Sequence, residues 1–106
     1  MVIIETPTFT RQIIRLMPDE DYRELQEALL LNPEQGDLIR GSGGLRKIRW
    51  SQPGRGKRGG VRVIYYWYLP DAQLYMLLAY PKNEQDNLTQ EQLKLLKKLV
   101  ETEFGR

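Results

Sequence analysis

The chain has 106 residues, of which 41% are hydrophobic and 28% charged, and its 16 Lys and Arg residues against 14 Asp and Glu residues give a net charge of +2. This length suits one hydrophobic core, so we predict a single domain over residues 1–106. Because the chain contains neither cysteine nor histidine, disulfides and the usual zinc sites are excluded, and we expect no metal or cofactor. No apolar run approaches the roughly 20 residues of a membrane span, and the N-terminus lacks the pattern of a signal peptide, so we expect a cytoplasmic protein.

The N-terminal third predicts a strand and two helices. Residues Met1–Thr6 form a short β-branched run that Pro7 ends. Apolar residues at helical spacing predict a helix over Thr8–Met17. Three carboxylates at 19–21 favour the first turn of a second helix because they oppose its dipole, and this helix should end at Asn32-Pro33.

The remainder predicts three strands and a helix. Leu45–Trp50 reads as a strand, and the runs Val61–Leu69 and Gln73–Tyr80 form an antiparallel hairpin. Thr89 and Gln92 match a capping box at the start of the last helix. We therefore predict an α+β fold of order β-α-α-β-β-β-α, with a small antiparallel-rich sheet and the helices packed on one of its faces.

Positive charge is concentrated in the middle of the chain. No carboxylate occurs between Asp37 and Asp71, whereas this segment holds eight of the sixteen cations: Arg40, Arg46, Lys47, Arg49, Arg55, Lys57, Arg58 and Arg62. Lys and Arg are rarely buried unpaired, and no acidic residue is near in sequence. We therefore expect a positive sheet surface, free of internal partners, that attracts polyanions.

Aromatic residues accompany these cations. Their rings are either stacking surfaces for unpaired bases or ordinary core residues of the strands, and we favour the core for Tyr65, Trp67 and Tyr75. The loop 51–60 contains a G-x-G-x-x-G spacing but leads into a strand, so dinucleotide binding is rejected. Its three cations favour a phosphate clamp over a merely solvated loop tip.

Three blocks in this order resemble the RelE-like toxins, closest to the HigB branch: Gly-Gly-Leu-Arg-Lys-Ile-Arg, Gly-Lys-Arg-Gly-Gly-Val-Arg-Val-Ile-Tyr-Tyr and Leu-Leu-Ala-Tyr-Pro-Lys-Asn-Glu. The resemblance covers essentially the whole chain. It implies the toxin of a type II toxin-antitoxin system, which cleaves mRNA in the ribosomal A site. It also implies a cognate antitoxin, expected to be a helix-turn-helix DNA-binding protein, and no membrane partner.

The resemblance also implies site residues. Metal-free cleavage needs a base for the ribose 2′-OH, an acid for the leaving 5′-oxygen, and cations at the phosphate. Arg62 matches the family's phosphate-contacting arginine, and Lys82 matches a basic position after the last strand that serves as the acid. A lysine crowded by cations has a lowered pKa, so Lys47 or Lys57 is a candidate base. The remaining RNA-binding candidates are Arg46, Arg49, Arg55 and Arg58.

The sequence departs from the best-studied branch at two positions. An arginine expected after Lys82 is replaced by Asn83, and a tyrosine expected near the last helix is replaced by Thr89. Either Tyr80 and Glu84 take over part of the chemistry, or the RNA is held differently. The competing functions are a non-catalytic RNA- or ribosome-binding module and a module that receives an acidic protein.

Overall fold

The computed structural model describes residues 1–51 and 60–104. Its elements are β1 (Val2–Glu5), α1 (Pro7–Leu16), α2 (Asp19–Leu31), β2 (Asp37–Leu38), β3 (Leu45–Trp50), β4 (Val61–Tyr68), β5 (Gln73–Pro81) and α3 (Gln90–Phe104). Within those described ranges, no helix combines the length and apolar composition that a membrane span requires.

A five-stranded sheet of order β1-β5-β4-β3-β2 forms the middle of the molecule. The hairpin of β4 and β5 is antiparallel and central, as predicted, and is joined by a 3-10 turn at Leu69–Asp71 and a left-handed Ala72. β1 pairs with β5 in parallel, with Val2 opposite Gln73. The short strand β2 is one element more than the sequence predicted.

The helices cover both faces of the sheet, which corrects the prediction that they pack on one. One core contains Phe9 of α1, Leu25 of α2 and Tyr65 of β4, whereas the other contains Val100 of α3 and Tyr66 of β4. The reason lies in β4, whose residues 61–66 are all buried. Because successive strand side chains point to opposite faces, such a strand needs apolar cover on both sides.

Local signals in the sequence set the helix ends. Thr6 caps α1, with its hydroxyl oxygen accepting from the Phe9 N–H at 3.0 Å, and Pro7 follows at the first helical position. The predicted capping box of α3 is present: Thr89 Oγ1 accepts from the Gln92 N–H, and Gln92 Oε1 accepts from the Thr89 N–H. This box fixes where the chain turns from the 82–89 loop into α3.

Candidate nucleic-acid interface

Three neighbouring strands bring polar side chains together on the face of the sheet that α3 covers. The register places Arg49 of β3 directly opposite Arg62 of β4, and Arg62 directly opposite Tyr80 of β5. Lys47 lies two residues from Arg49 and therefore shares its face. We call Lys47, Arg49, Arg62 and Tyr80 the basic cluster.

The loop that follows β5 supplies the anionic side of this cluster. Arg62 Nε donates to Asp86 Oδ1 at 3.0 Å. This bond and the positive charge of Arg62, Lys47 and Arg49 lower the pKa of the Asp86 carboxyl. Tyr80 also reaches this loop, since its hydroxyl donates to the Asp86 carbonyl at 3.3 Å. Burial, with the charge of Asp86 adding to it, raises the pKa of Tyr80.

Lys47 is a buried lysine held by the same loop. Its Nζ donates to Asn87 Oδ1 at 2.6 Å and to the Asp86 carbonyl at 3.2 Å, and the residue is 8% exposed. Burial is the largest cause that lowers its pKa, and the positive charges of Arg49 and Arg62 act in the same direction, against that of Asp86. Lys47 is thus the ammonium in the basic cluster whose proton is held less tightly than in water.

The expectation that these cations lack internal partners was wrong. Arg62 pairs with Asp86, and Arg49 Nη1 pairs with Asp37 Oδ2 at 2.8 Å on the exposed surface. Asp37 bounds the acid-free segment and lies 12 residues from Arg49, whereas Asp86 lies beyond the other end of the segment, 24 residues from Arg62. Charge clustering along the chain therefore cannot exclude carboxylates that the fold brings close to the cations.

Other predicted site residues lie outside the basic cluster. Arg46 is on the opposite face, where its Nη1 donates to the carbonyls of Glu34 and Gly36 at 3.0 and 2.8 Å. Lys82 is exposed, and its backbone N–H donates to the Gly60 carbonyl, which keeps it at the same end of the sheet as Arg62. Glu84 lines a pocket of about 480 Å³ between α1 and the end of β5. Arg55, Lys57 and Arg58 lie outside the described residues.

Most of the aromatic rings are core residues. Tyr65 and Tyr66 are buried in the two separate cores. Tyr66, Tyr68 and Tyr75 all pack against Phe104 of α3, with ring centroids 4.9, 4.4 and 4.6 Å away. These three rings therefore stabilise the contact between α3 and the sheet. The sequence analysis favoured a core role for Tyr65, Trp67 and Tyr75, and the structure adds Tyr66 and Tyr68 to the rings that pack in the core.

Sequence reasoning missed Asp86 and Asn87. Together they contact Lys47, Arg62 and Tyr80, yet they occur in a polar loop without periodicity. One feature of the sequence could have identified them. The Asp-Asn pair lies in the short segment between β5, the strand that pairs with β4, and the capped start of α3. Loops that leave a rigid sheet commonly carry site residues.

The arrangement suits anion chemistry. Two guanidinium groups directly opposite one another on adjacent strands repel unless anions lie between or beside them, and guanidinium groups bind phosphate oxygens well. Lys47 and Tyr80 add an ammonium group and a hydroxyl group beside the two guanidinium groups. Among the described residues, no group of three or more acidic side chains is placed to hold a metal ion.

The described residues form a small α+β protein whose five-stranded sheet carries cations and a tyrosine hydroxyl on one face. A sequence model described as the RelE toxin of the RelE / RelB toxin-antitoxin system matches residues 5–105, and the chain belongs to this family. The fold agrees with that assignment. It is similar to a chain of the intact E. coli RelBE toxin-antitoxin complex, with a TM-score of 0.58 and 13% identity over 76% of this chain and 94% of that one. It is also similar to free E. coli toxin RelE carrying two arginine-to-alanine mutations, with a TM-score of 0.57 and 12% identity over 80% of this chain and 86% of that one.

Proposed function

We propose that this protein is a ribosome-dependent endoribonuclease that cleaves mRNA in the ribosomal A site without a metal, as the toxin of a type II toxin-antitoxin system. Residues 1–106 act as one toxin domain in the cytoplasm. Membership of the RelE toxin family supports the toxin assignment. The observation that carries the chemistry is the basic cluster, in which Arg62 lies between Arg49 and Tyr80 and on the same face as Lys47.

The reaction assigns a role to each group. The deprotonated fraction of Lys47 takes the proton of the ribose 2′-OH, the 2′-oxygen forms a bond to phosphorus, and the bond from phosphorus to the 5′-oxygen breaks. Arg62, with Arg49 beside it, stabilises the charge that builds on the phosphoryl oxygens. Lys82 gives a proton to the leaving 5′-oxygen, and the hydroxyl of Tyr80 is a second donor for this step. The products are a 2′,3′-cyclic phosphate and a 5′-hydroxyl end.

The remaining candidates support this centre. Glu84, beside the pocket that Tyr80 also lines, orients the RNA or the proton donor. Arg55, Lys57 and Arg58 of the 51–60 loop contact flanking phosphates. Arg46 lies on the opposite face and contributes by holding the Glu34 and Gly36 carbonyls, which positions the start of β2 and with it Asp37.

A cognate antitoxin is the second partner. The similar E. coli chain is part of a toxin-antitoxin complex, and we propose that this toxin is neutralised in the same general way by a small helix-turn-helix DNA-binding protein. The three sequence blocks support a place in the HigB branch. A reading frame for such a protein beside the gene is the expected genomic context.

A non-catalytic RNA- or ribosome-binding module is the second candidate. The observation that favours it is burial, since Lys47 and Arg62 are only 8% and 5% exposed. Such a module needs the same cations but no proton transfer. It would associate with ribosomes and leave transcripts intact.

The test is to induce the chain alone in growing bacteria and to map transcript ends. The proposal predicts growth arrest and new 5′-hydroxyl ends spaced by codons within translated frames. Purified protein should leave naked RNA intact but cut the same RNA in a translating lysate. Ribosome association without new ends would support the non-catalytic module, and ends bearing 5′-phosphates would refute attack by the 2′-OH.

A further inference from the structure

The guanidinium of Arg62 lies behind the carboxylate of Asp86. The Arg62 side chain is 6% exposed, whereas that of Asp86 is 54% exposed, and the two meet at 3.0 Å. Asp86 Oδ1 thus stands on the solvent side of Arg62. A charge-assisted bond from a guanidinium to a carboxylate oxygen has the same length and direction as one to a phosphate oxygen, so both anions compete for this position.

The backbone around Asp86 is fixed independently of that bond. The Lys82 N–H donates to the Gly60 carbonyl, Gln85 Nε2 donates to the Asn87 carbonyl at 3.0 Å, and Lys47 holds Asn87 Oδ1. Because the Asp86 side chain is half exposed, it can rotate into water while these bonds stay in place. Opening the site therefore requires a rotamer change and not the unfolding of the loop.

We propose that Asp86 is an internal competitor for the RNA phosphate, which occupies Arg62 until a bound nucleic-acid strand displaces it. This inference deepens the proposed function and rests on it for the identity of the ligand. An intramolecular carboxylate competes at a high effective concentration. A single phosphate therefore fails to displace it, whereas a strand already held by neighbouring cations succeeds. Asp86 selects extended polyanions over free phosphate.

Binding of a non-cleavable probe tests the displacement step. We compare wild type, Asp86→Asn and the matched control Asp71→Asn, which removes the same charge from the exposed turn between β4 and β5. The probe is a labelled single-stranded 2′-O-methyl RNA of 12 nucleotides, which lacks the attacking hydroxyl. We expect Asp86→Asn to bind about tenfold tighter than wild type, with a salt dependence steeper by up to about one phosphate contact. Asp71→Asn should stay within about twofold.

The change in Tm on adding inorganic phosphate tests the proposal without requiring that the protein bind or cleave RNA. At tens of millimolar, phosphate should raise the Tm of Asp86→Asn by about 2 °C and leave wild type and Asp71→Asn unchanged, because only in the first is the carboxylate that competes for Arg62 replaced by a neutral amide. Equal phosphate shifts in wild type and Asp86→Asn would overturn the proposal, as would equal RNA affinities for the two Asn variants when wild type binds RNA. If Asp86→Asn fails to fold by circular dichroism, Asp86→Ser replaces it.

The experiments distinguish a failure of the ribonuclease function from a failure of the proposed role of Asp86 as a competitor. If wild type neither binds the probe nor arrests growth but phosphate stabilises Asp86→Asn selectively, the competitor is present and the ribonuclease function is wrong. If wild type cleaves transcripts but the Asp86 and Asp71 variants behave alike in both assays, the function stands and the competitor is wrong.

Discussion

Arg49 and Arg62 are directly opposite one another on β3 and β4, and each bonds a carboxylate from outside the two strands. Like charges in such a cross-strand pair destabilise a sheet. The protein retains the pair, with Asp37 beside one member and Asp86 beside the other. Under the proposed function this pair binds the RNA phosphate, and the predictions on catalysis below follow from that proposal.

Arg62→Ala should abolish toxicity while the protein stays folded. Loss of a preorganised charge at the phosphate lowers cleavage by at least about a hundredfold. The unfolding free energy should fall by roughly 1–2 kcal/mol, since one ion pair and some packing are lost but the repulsion with Arg49 is relieved. Growth curves and a thermal melt measure both effects. Arg23→Ala, on the exposed side of α2, is the control, and a folded Arg62→Ala protein that still arrests growth would disprove the assignment.

Tyr80→Phe should lower RNA cleavage strongly while changing the free energy of unfolding only slightly. If the hydroxyl of Tyr80 donates a proton to the leaving oxygen, its removal lowers cleavage by about a hundredfold or more. Its bond to the Asp86 carbonyl is long at 3.3 Å, so the unfolding free energy should change by less than about 1 kcal/mol.

Tyr65→Phe is the matched control for Tyr80. The Tyr65 hydroxyl donates to the Pro33 carbonyl at 2.6 Å and accepts from the Gly36 N–H at 3.0 Å. Its removal leaves buried backbone groups unpaired and should cost about 1–3 kcal/mol, with cleavage by the folded protein unchanged. Equal cleavage by wild type and Tyr80→Phe would remove Tyr80 from the reaction.

The lowered pKa of Lys47 predicts a specific pH dependence of stability. The folded state holds this proton less tightly than the unfolded state, whose lysine titrates near 10.5. Between the two pKa values the unfolded state binds more protons, so the contribution of Lys47 to the unfolding free energy rises with pH. Urea unfolding of wild type and Lys47→Met from about pH 7.5 to the unfolded value of 10.5 measures it, and tyrosine ionisation largely cancels in the difference because both proteins contain the same tyrosines. The difference should grow in favour of wild type as pH rises, and a flat or falling difference would mean that the pKa is not lowered.

The capping box predicts a purely structural effect. Thr89→Ala removes the acceptor for the Gln92 N–H and should destabilise the protein by about 1 kcal/mol. Thr102→Ala, in the exposed last turns of α3, should be neutral or slightly stabilising because alanine favours helix. Chemical denaturation of the two variants gives the comparison, and equal midpoints would show that the box does not hold the helix start.

Local patterns predicted most of the elements, because each depends on residues close in sequence. The β4–β5 hairpin follows from two aromatic and β-branched runs on either side of Pro70, and the start of α3 follows from Thr89 and Gln92. The parallel pairing of β1 with β5 was not predictable, since residues about 70 apart have to meet. Nor was the position of α3 on the second face, which depends on β4 being apolar on both sides.

In the candidate site, too, features that depend on residues close in sequence were predictable and contacts between distant residues were not. Alternation along β3 placed Lys47 and Arg49 on one face and Arg46 on the other, as observed. The bonds to Asp86 and Asn87 depend on how the 82–89 loop crosses the sheet end, which no local pattern specifies.

The most direct test of the central claim compares transcript ends after induction of wild type, Arg62→Ala and Arg23→Ala at matched protein levels. The account predicts 5′-hydroxyl ends at codon spacing for wild type and Arg23→Ala, and their loss for Arg62→Ala. The same ends in all three samples, or none in wild type, would contradict it.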